Sequence, residues 1–232
     1  MCIVLRTADY RDSDKMLTLF SREAGRVSAL ARGAKNLKNP LAAASQPFCC
    51  GIFSFTGKNG KLYVSQCEIK KEFYSLGADF EKFAAACVMV EMADKILEDS
   101  VEYERLFVLL ANCLSALEKG PPVRMTLAYF FVQISDILGI RPTTDTCAVC
   151  GKDLEEPDLF CASEGGAVCE QCAAGLHTKK IRPEAIRMID VLLKTDPKSI
   201  ALIEKFNSDV LAVMRDYLSS FGEITSRAMN YL

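Results

Sequence analysis

Phe48-Cys-Cys-Gly-Ile-Phe-Ser-Phe-Thr56, Gly57-Lys-Asn-Gly60 and Leu62-Tyr-Val-Ser-Gln-Cys-Glu-Ile-Lys-Lys71 read in order as strand, turn and strand. β-branched and aromatic residues favour the pleated state in the two flanking runs. Asn-Gly supplies the positive φ angles that a tight hairpin needs. Working outward, Cys2–Thr7, Lys15–Ser21 and Arg26–Ala31 read as three more short strands, with Glu23-Ala-Gly25 as a turn. Five strands in about 75 residues leave no room for crossover helices, so the expectation is a small antiparallel barrel, which hides its edges by closing.

Between the third and fourth strands lies Arg32-Gly-Ala-Lys-Asn-Leu-Lys-Asn-Pro40, followed by the small residues of 41–47. This connection exceeds a hairpin's need, and it reads as a loop broken by Gly33, Asn36, Asn39 and Pro40. From Asp79 the apolar period changes from 2 to 3.6. Asp79–Glu98, Tyr103–Lys119 and Val123–Leu138 are expected helices, then Pro183–Lys194, Pro197–Phe206 and Asp209–Phe221. In the first of these, Phe80, Phe83, Ala84, Cys87, Val90 and Ile96 can share one stripe. The nearly apolar Val123–Leu138 suits a bundle centre. The fold class is therefore α+β: a barrel over 1–76 and a helical domain over 77–232.

Cys147-Ala-Val-Cys150 and Cys169-Glu-Gln-Cys172 interrupt the helical part, with a module expected at about 145–175. Eighteen residues separate the pairs, inside the window for a zinc site. Two knuckles with two thiolates each complete a tetrahedron and leave no open position for water or substrate. Cys147, Cys150, Cys169 and Cys172 are thus expected to hold a structural Zn2+. The other seven cysteines lie mostly in apolar patterns, where a free thiol acts as a small hydrophobe. This usage favours a reducing, cytoplasmic setting.

Half of the 232 residues are hydrophobic and a quarter charged, and no apolar run is long enough for a membrane span. The formal net charge of −2 conceals a division. Residues 1–75 carry 12 Lys+Arg against 6 Asp+Glu, and the rest carries 16 against 24. A basic front suggests a polyanion as partner. Arg22, Arg26, Arg32, Lys35 and Lys38 oppose only Glu23 over residues 22–38, and Phe48, Phe53, Phe55 and Tyr63 add rings. Cations with flat side chains suit single-stranded nucleic acid. The same rings suit a barrel interior, and both readings stay open here.

Catalysis finds little support. His177 is the only histidine, and a solvated position suits it better than a fifth ligand. There is no Gly-x-Ser-x-Gly elbow, phosphate-cradling Gly-x-x-x-x-Gly-Lys loop or deaminase signature. Asp9, Asp12 and Asp14, interleaved with Arg11 and Lys15, read as turn-making and charge pairing. The chain is therefore expected not to be an enzyme.

Val4-Leu5-Arg6-Thr7, Tyr10-Arg-Asp-Ser-Asp-Lys15, Leu17-Thr-Leu-Phe-Ser21, Glu23-Ala-Gly-Arg26, Ala31-Arg-Gly-Ala-Lys35 and Leu41-Ala-Ala follow one another in a specific order. So do Gly139-Ile-Arg-Pro142, Cys147-Ala-Val-Cys-Gly151 and Gly165-Gly166 before Cys169. This order resembles the RecO family of bacterial recombination mediators and DNA-repair proteins. The resemblance implies an OB-fold at the front and a mostly helical remainder carrying the zinc module. Some members of that family lack the cysteines, in keeping with a scaffold role. It also implies binding of single- and double-stranded DNA, annealing of complementary strands and work with RecR. RecA loading onto strands coated by single-strand DNA-binding protein, and contact with that protein's C-terminal tail, are implied too. DNA contact carries over to Arg32, Lys35 and Lys38 of the basic loop, joined by Arg26 on its cationic strand. Two other readings are a zinc-stapled adaptor for protein or structured RNA, and a redox sensor that releases zinc. Localisation is expected to be cytoplasmic, at the nucleoid.

Overall fold

A computed structural model describes residues 1–97, 102–203 and 206–231. The chain divides into two compact units, Met1–Glu118 and Lys119–Leu232. The change from strand to helix falls earlier, after Lys71, so two helices belong to the barrel's unit.

In the first unit, β1 (Cys2–Tyr10), β2 (Asp14–Ser21), β3 (Gly25–Ala31), β4 (Cys50–Lys58) and β5 (Lys61–Lys71) close into a barrel in the order β1-β2-β3-β5-β4. β1 closes on β4 through Cys2 opposite Gly51 and Ile3 opposite Cys50. β3 meets β5 in parallel at Leu30 and Tyr63. Val4, Leu17, Leu19, Ala29, Ala31, Phe53 and Val64 fill the interior. Asn59 and Gly60 both take positive φ, 51° and 70°, so the Asn-Gly hairpin forms as its residue types require. β4 begins two residues later than expected because Phe48 has φ 67° and turns inward against Phe83, ring centroids 5.7 Å apart. β1 runs three residues longer, which carries Tyr10 to the hairpin tip.

The β3–β4 connection is not all loop. Pro40–Ala44 forms a short helix, α1, capped by the Asn39 side chain, which accepts from Leu41 N at 2.9 Å. Asn at the cap and Pro at the first helical position are start signals, which the reading of both as breakers missed. A closed five-stranded barrel with a helix between its third and fourth strands is an OB-fold.

α2 (Phe80–Ile96) follows, capped by Asp79, and then α3 (Tyr103–Lys119). Glu98, the expected end of the first helix, lies outside the described residues. The expected α2 stripe holds in part and is rotated in part: Ala84, Val90 and Ile96 are buried, but Phe80 is 70% and Phe83 41% exposed, and Ala85, Val88, Met89, Met92 and Ala93 are buried as well. The run Phe83–Val90 is apolar on every side, so periodicity could not choose its inward face. One charged residue of α2 is buried, Asp94. Its carboxylate lies 2.8 Å from Arg26 on β3 and 3.3 Å from Arg6 on β1. Phe20 and Phe107 pack edge-on at 5.4 Å between β2 and α3.

In the second unit, α4 (Val123–Ile137) is central, with Leu127, Tyr129, Phe130, Phe131 and Ile134 buried. A small module follows: β6 (Leu159–Cys161), β7 (Gly166–Ala167), α5 (Glu170–Ala173) and β8 (Lys179–Lys180), its sheet ordered β7-β6-β8. Then come α6 (Pro183–Lys194) and α7 (Asp209–Ser220), which pack on α4. Gln133 donates to Leu192 O at 2.8 Å and Tyr129 to Thr195 O at 3.1 Å. The expected helix Pro197–Phe206 is a 3-10 turn over Pro197–Leu202; residues 204 and 205 lie outside the described residues. Among the described residues, no helix is long and apolar enough to cross a membrane.

Candidate metal centre and cationic barrel end

The four sequence-selected thiols come together. The sulfurs of Cys147, Cys150, Cys169 and Cys172 all lie within 4.8 Å of one another. A tetrahedral ion with metal–sulfur bonds of about 2.3 Å needs sulfur–sulfur edges of about 3.8 Å. Cys150 and Cys169 stand 3.9 Å apart, so the donors fit. Backbone bonds shape both knuckles. Gly151 N donates to Cys147 O, and Cys147 N to Lys152 O, each at 2.8 Å. Cys169 stands at the start of α5, and its N–H points to the Cys147 sulfur at 3.4 Å.

Burial opposes the Cys147 thiolate, yet N–H groups of Cys169, Cys150 and Val149 bring its pKa down to about 6. Cys172 moves the other way, to about 12, chiefly because it shares hydrogen bonds with Cys169 and Cys150. Four crowded sulfurs cannot all ionise without a cation among them, the ordinary condition of a thiolate metal centre. Elsewhere burial pushes Cys49 to about 12 and Cys67 to about 11, as small hydrophobes in a barrel behave. His177 is exposed and outside the quartet.

The module is held to the chain before it at Gly166, whose φ is 153°. A Cβ there would lie 2.3 Å from Thr143 O and 2.5 Å from Thr143 N. Gly166→Ala is expected to destabilise the module by about 1–3 kcal/mol, the scale of forced backbone strain. Limited proteolysis across residues 143–180 measures it; unchanged resistance refutes the close approach.

The candidate DNA-contacting cations do not share one place. Arg32, Lys35 and Lys38 lie on the β3–α1 connection, and Arg26 is committed to Asp94, also donating to that residue's backbone oxygen. Lys38 and Arg32 are exposed. Lys35 pairs with Asp9 at 3.0 Å and donates to Arg11 O at 2.9 Å. The loop is tied to the β1–β2 tip: Gly33 N donates to Asp14 Oδ1 at 2.8 Å, and Lys35 N to Ser13 O at 3.0 Å. The Gly33 N–H holds Asp14 below the ordinary carboxylate range. Asp14 therefore serves as a hook rather than as part of an ion site.

Three tips thus meet at one barrel end: Tyr10–Asp14, Arg32–Asn39 and Lys58–Lys61. The residues missed from sequence are Tyr10, Arg11 and Lys61. Lys61 Nζ lies 3.5 Å from the Tyr10 hydroxyl, and Arg11 stands 5.4 Å from that ring's centroid. Arg32 sits over the Tyr63 ring at 4.3 Å. Their signal was weak because Arg11 lies among acids, and Lys61 is fifty residues away from it in sequence. Of the four rings proposed for stacking, Phe48 and Phe53 are buried and Phe55 packs on the core, leaving Tyr63 at the rim.

These features define a class: an OB-fold chain with a helical unit into which a four-thiol module is inserted. Residues 1–73 match the family model Recombination protein O N terminal, and residues 77–223 match Recombination protein O C terminal. The chain belongs to the recombination protein O family. It is 35% identical to a DNA repair protein RecO of Listeria monocytogenes over 170 residues, 73% of this chain and 66% of that protein. A protein of the same name from Exiguobacterium is 34% identical over 167 residues, 72% of this chain and 67% of its own length. A third, from Anaeromyxobacter, is 33% identical over 202 residues, 86% of this chain and 79% of the relative. The match to the Listeria protein thus spans just under two thirds of its length.

Proposed function

We propose that the protein is a DNA repair and recombination mediator that acts by binding, not by catalysis. It takes single- and double-stranded DNA, anneals complementary strands and, with RecR, assists loading of RecA. The DNA is coated by single-strand DNA-binding protein, whose C-terminal tail it contacts. A protein with this role acts in the cytoplasm, at the nucleoid. The observation that carries the reading is the meeting of three tips at one end of the barrel, where the cationic Arg32–Asn39 and Lys58–Lys61 connections are joined by Arg11 of the Tyr10–Asp14 tip. The β1–β2 and β4–β5 connections are the loops with which OB-folds hold oligonucleotides.

Arg32, Lys35 and Lys38 offset phosphate repulsion and release counterions as two strands approach. Arg26, paired with Asp94, adds little to the field. Base pairing then supplies sequence specificity, so no element need read base edges. In the Lys35–Asp9 pair Asp9 is 73% exposed although Lys35 is only 28% so, and pairs open to solvent contribute only about 0–1 kcal/mol, so phosphate can displace the carboxylate. In this reading the thiol centre holds Zn2+, which supplies structure alone.

Lys35→Glu with Lys38→Glu is expected to lower the slope of log affinity against log salt by about 1.4 on single strands, about 0.7 per lost contact. Annealing should fall with it, and the urea midpoint should hold. The assay is salt-titrated strand annealing with and without single-strand DNA-binding protein. Wild-type slope and rate in the double variant would remove this loop from the site. Salt-insensitive capture of protein or structured RNA would favour the adaptor reading.

A further inference from the structure

The rim carries a repeat that charge alone does not explain. Lys61 and Tyr63 are two residues apart on β5, so they share a face about 7 Å from each other along the strand. At each position a ring meets a cation. Tyr10 stands beside Lys61 and Arg11; Tyr63 lies beneath Arg32. Both rings are half-buried, unlike Phe53, which belongs to the interior. Both are carried on paired backbone: Tyr10 is opposite Asp14 at the end of the β1–β2 ladder, and Tyr63 is paired with Thr56 and Leu30. Two flat groups, each beside a cation, form a unit suited to a nucleotide, whose base stacks while its phosphate is neutralised. An Arg guanidinium plane serves as a stacking surface as well as a ring does.

We propose that Tyr10 and the Arg32–Tyr63 pair are two adjacent base-stacking positions that make this barrel end prefer unpaired nucleotides to duplex. In a duplex each base face is covered by its neighbour, so only the cations would engage. The inference rests on the reading of this end as the phosphate-gripping surface, and adds to it which strand state is selected.

The chain contains no tryptophan, so Tyr10→Trp places a single indole at the rim. Titration with an all-thymidine oligonucleotide is expected to quench that indole, while a blunt duplex of similar length leaves it near its free intensity. Tyr10→Ala should weaken oligonucleotide binding about 5- to 150-fold, the size of one base–ring stack, at unchanged salt slope. Tyr10→Phe should recover most of that loss. Arg32→Lys, which keeps the charge and removes the plane, should cost about 2- to 5-fold. Tight oligonucleotide binding with no quenching and wild-type affinity in Tyr10→Ala overturns the platform and leaves DNA binding intact. Equal quenching by duplex overturns the strand preference. Failure of the unmodified protein to bind either probe overturns both this inference and the function it builds on.

Discussion

Replacing Cys147 with Ser is expected to abolish metal binding and to unfold residues 143–180. The module's other support is small: Phe160 against Tyr217 at 6.0 Å, the backbone bonds to Thr143, and a minor core of its own. Its buried cluster consists of Cys147, Cys161, Val168 and Cys169, and two of those four are proposed ligands. β7 and β8 are two residues each, too short to stand alone. Metal binding at such a site is folding free energy, on the order of 10 kcal/mol in small zinc modules at neutral pH. Metal content should fall from about one ion per chain to about zero, and protease cuts should appear between the two knuckles. A strong chelator should do the same to the wild type. Acidification should as well, because protons compete with the ion for the thiolates. A metal-free protein that keeps its wild-type protease pattern would reduce the quartet to an accident of packing.

Asp94→Ala is the second large effect, placed in the other unit. Asp94 ties α2 to two strands of the barrel, and Arg26 retains only 29% of its side-chain exposure. The guanidinium approaches Asp94 Oδ1 at 2.8 Å without the alignment of a hydrogen bond, so that contact is Coulombic. Truncation takes the carboxylate from a largely buried cation, which costs about 3 kcal/mol, the low end for a broken buried pair because Arg26 keeps the Asp94 backbone oxygen and Arg6 is exposed. Urea unfolding measures it. Replacing both partners, Asp94→Leu with Arg26→Met, should recover most of the loss, since the attraction and the desolvation cost disappear together. A shift below about 0.5 kcal/mol in Asp94→Ala would show that the pair does not lock the helix to the barrel.

The two predictions concern groups whose role is legible in the sequence to very different degrees. Arg26 sits in a run of cations and was grouped with them by charge. Its partner is 68 positions away, on a helix whose inward face is hidden in an apolar run. Cys147 presents the opposite case. Its partners are three positions and one loop away, and the coordination number of the ion dictates the spacing.

What the sequence determined by itself is whatever local chemistry imposes. Asn59-Gly60 makes a hairpin, alternation makes five strands, Cys-x-x-Cys twice makes a four-thiol cage, and periodicity makes most of the helices. Each of those signals is carried by a short motif or a fixed spacing along the chain, so each is legible without knowing the rest. Tertiary structure alone decided the rotation of α2, the burial of Asp94, and the assembly of Tyr10, Arg11, Arg32, Lys61 and Tyr63 at one rim. Barrel closure sets these, because it brings tips distant in sequence to the same end, and no window along the chain contains that information.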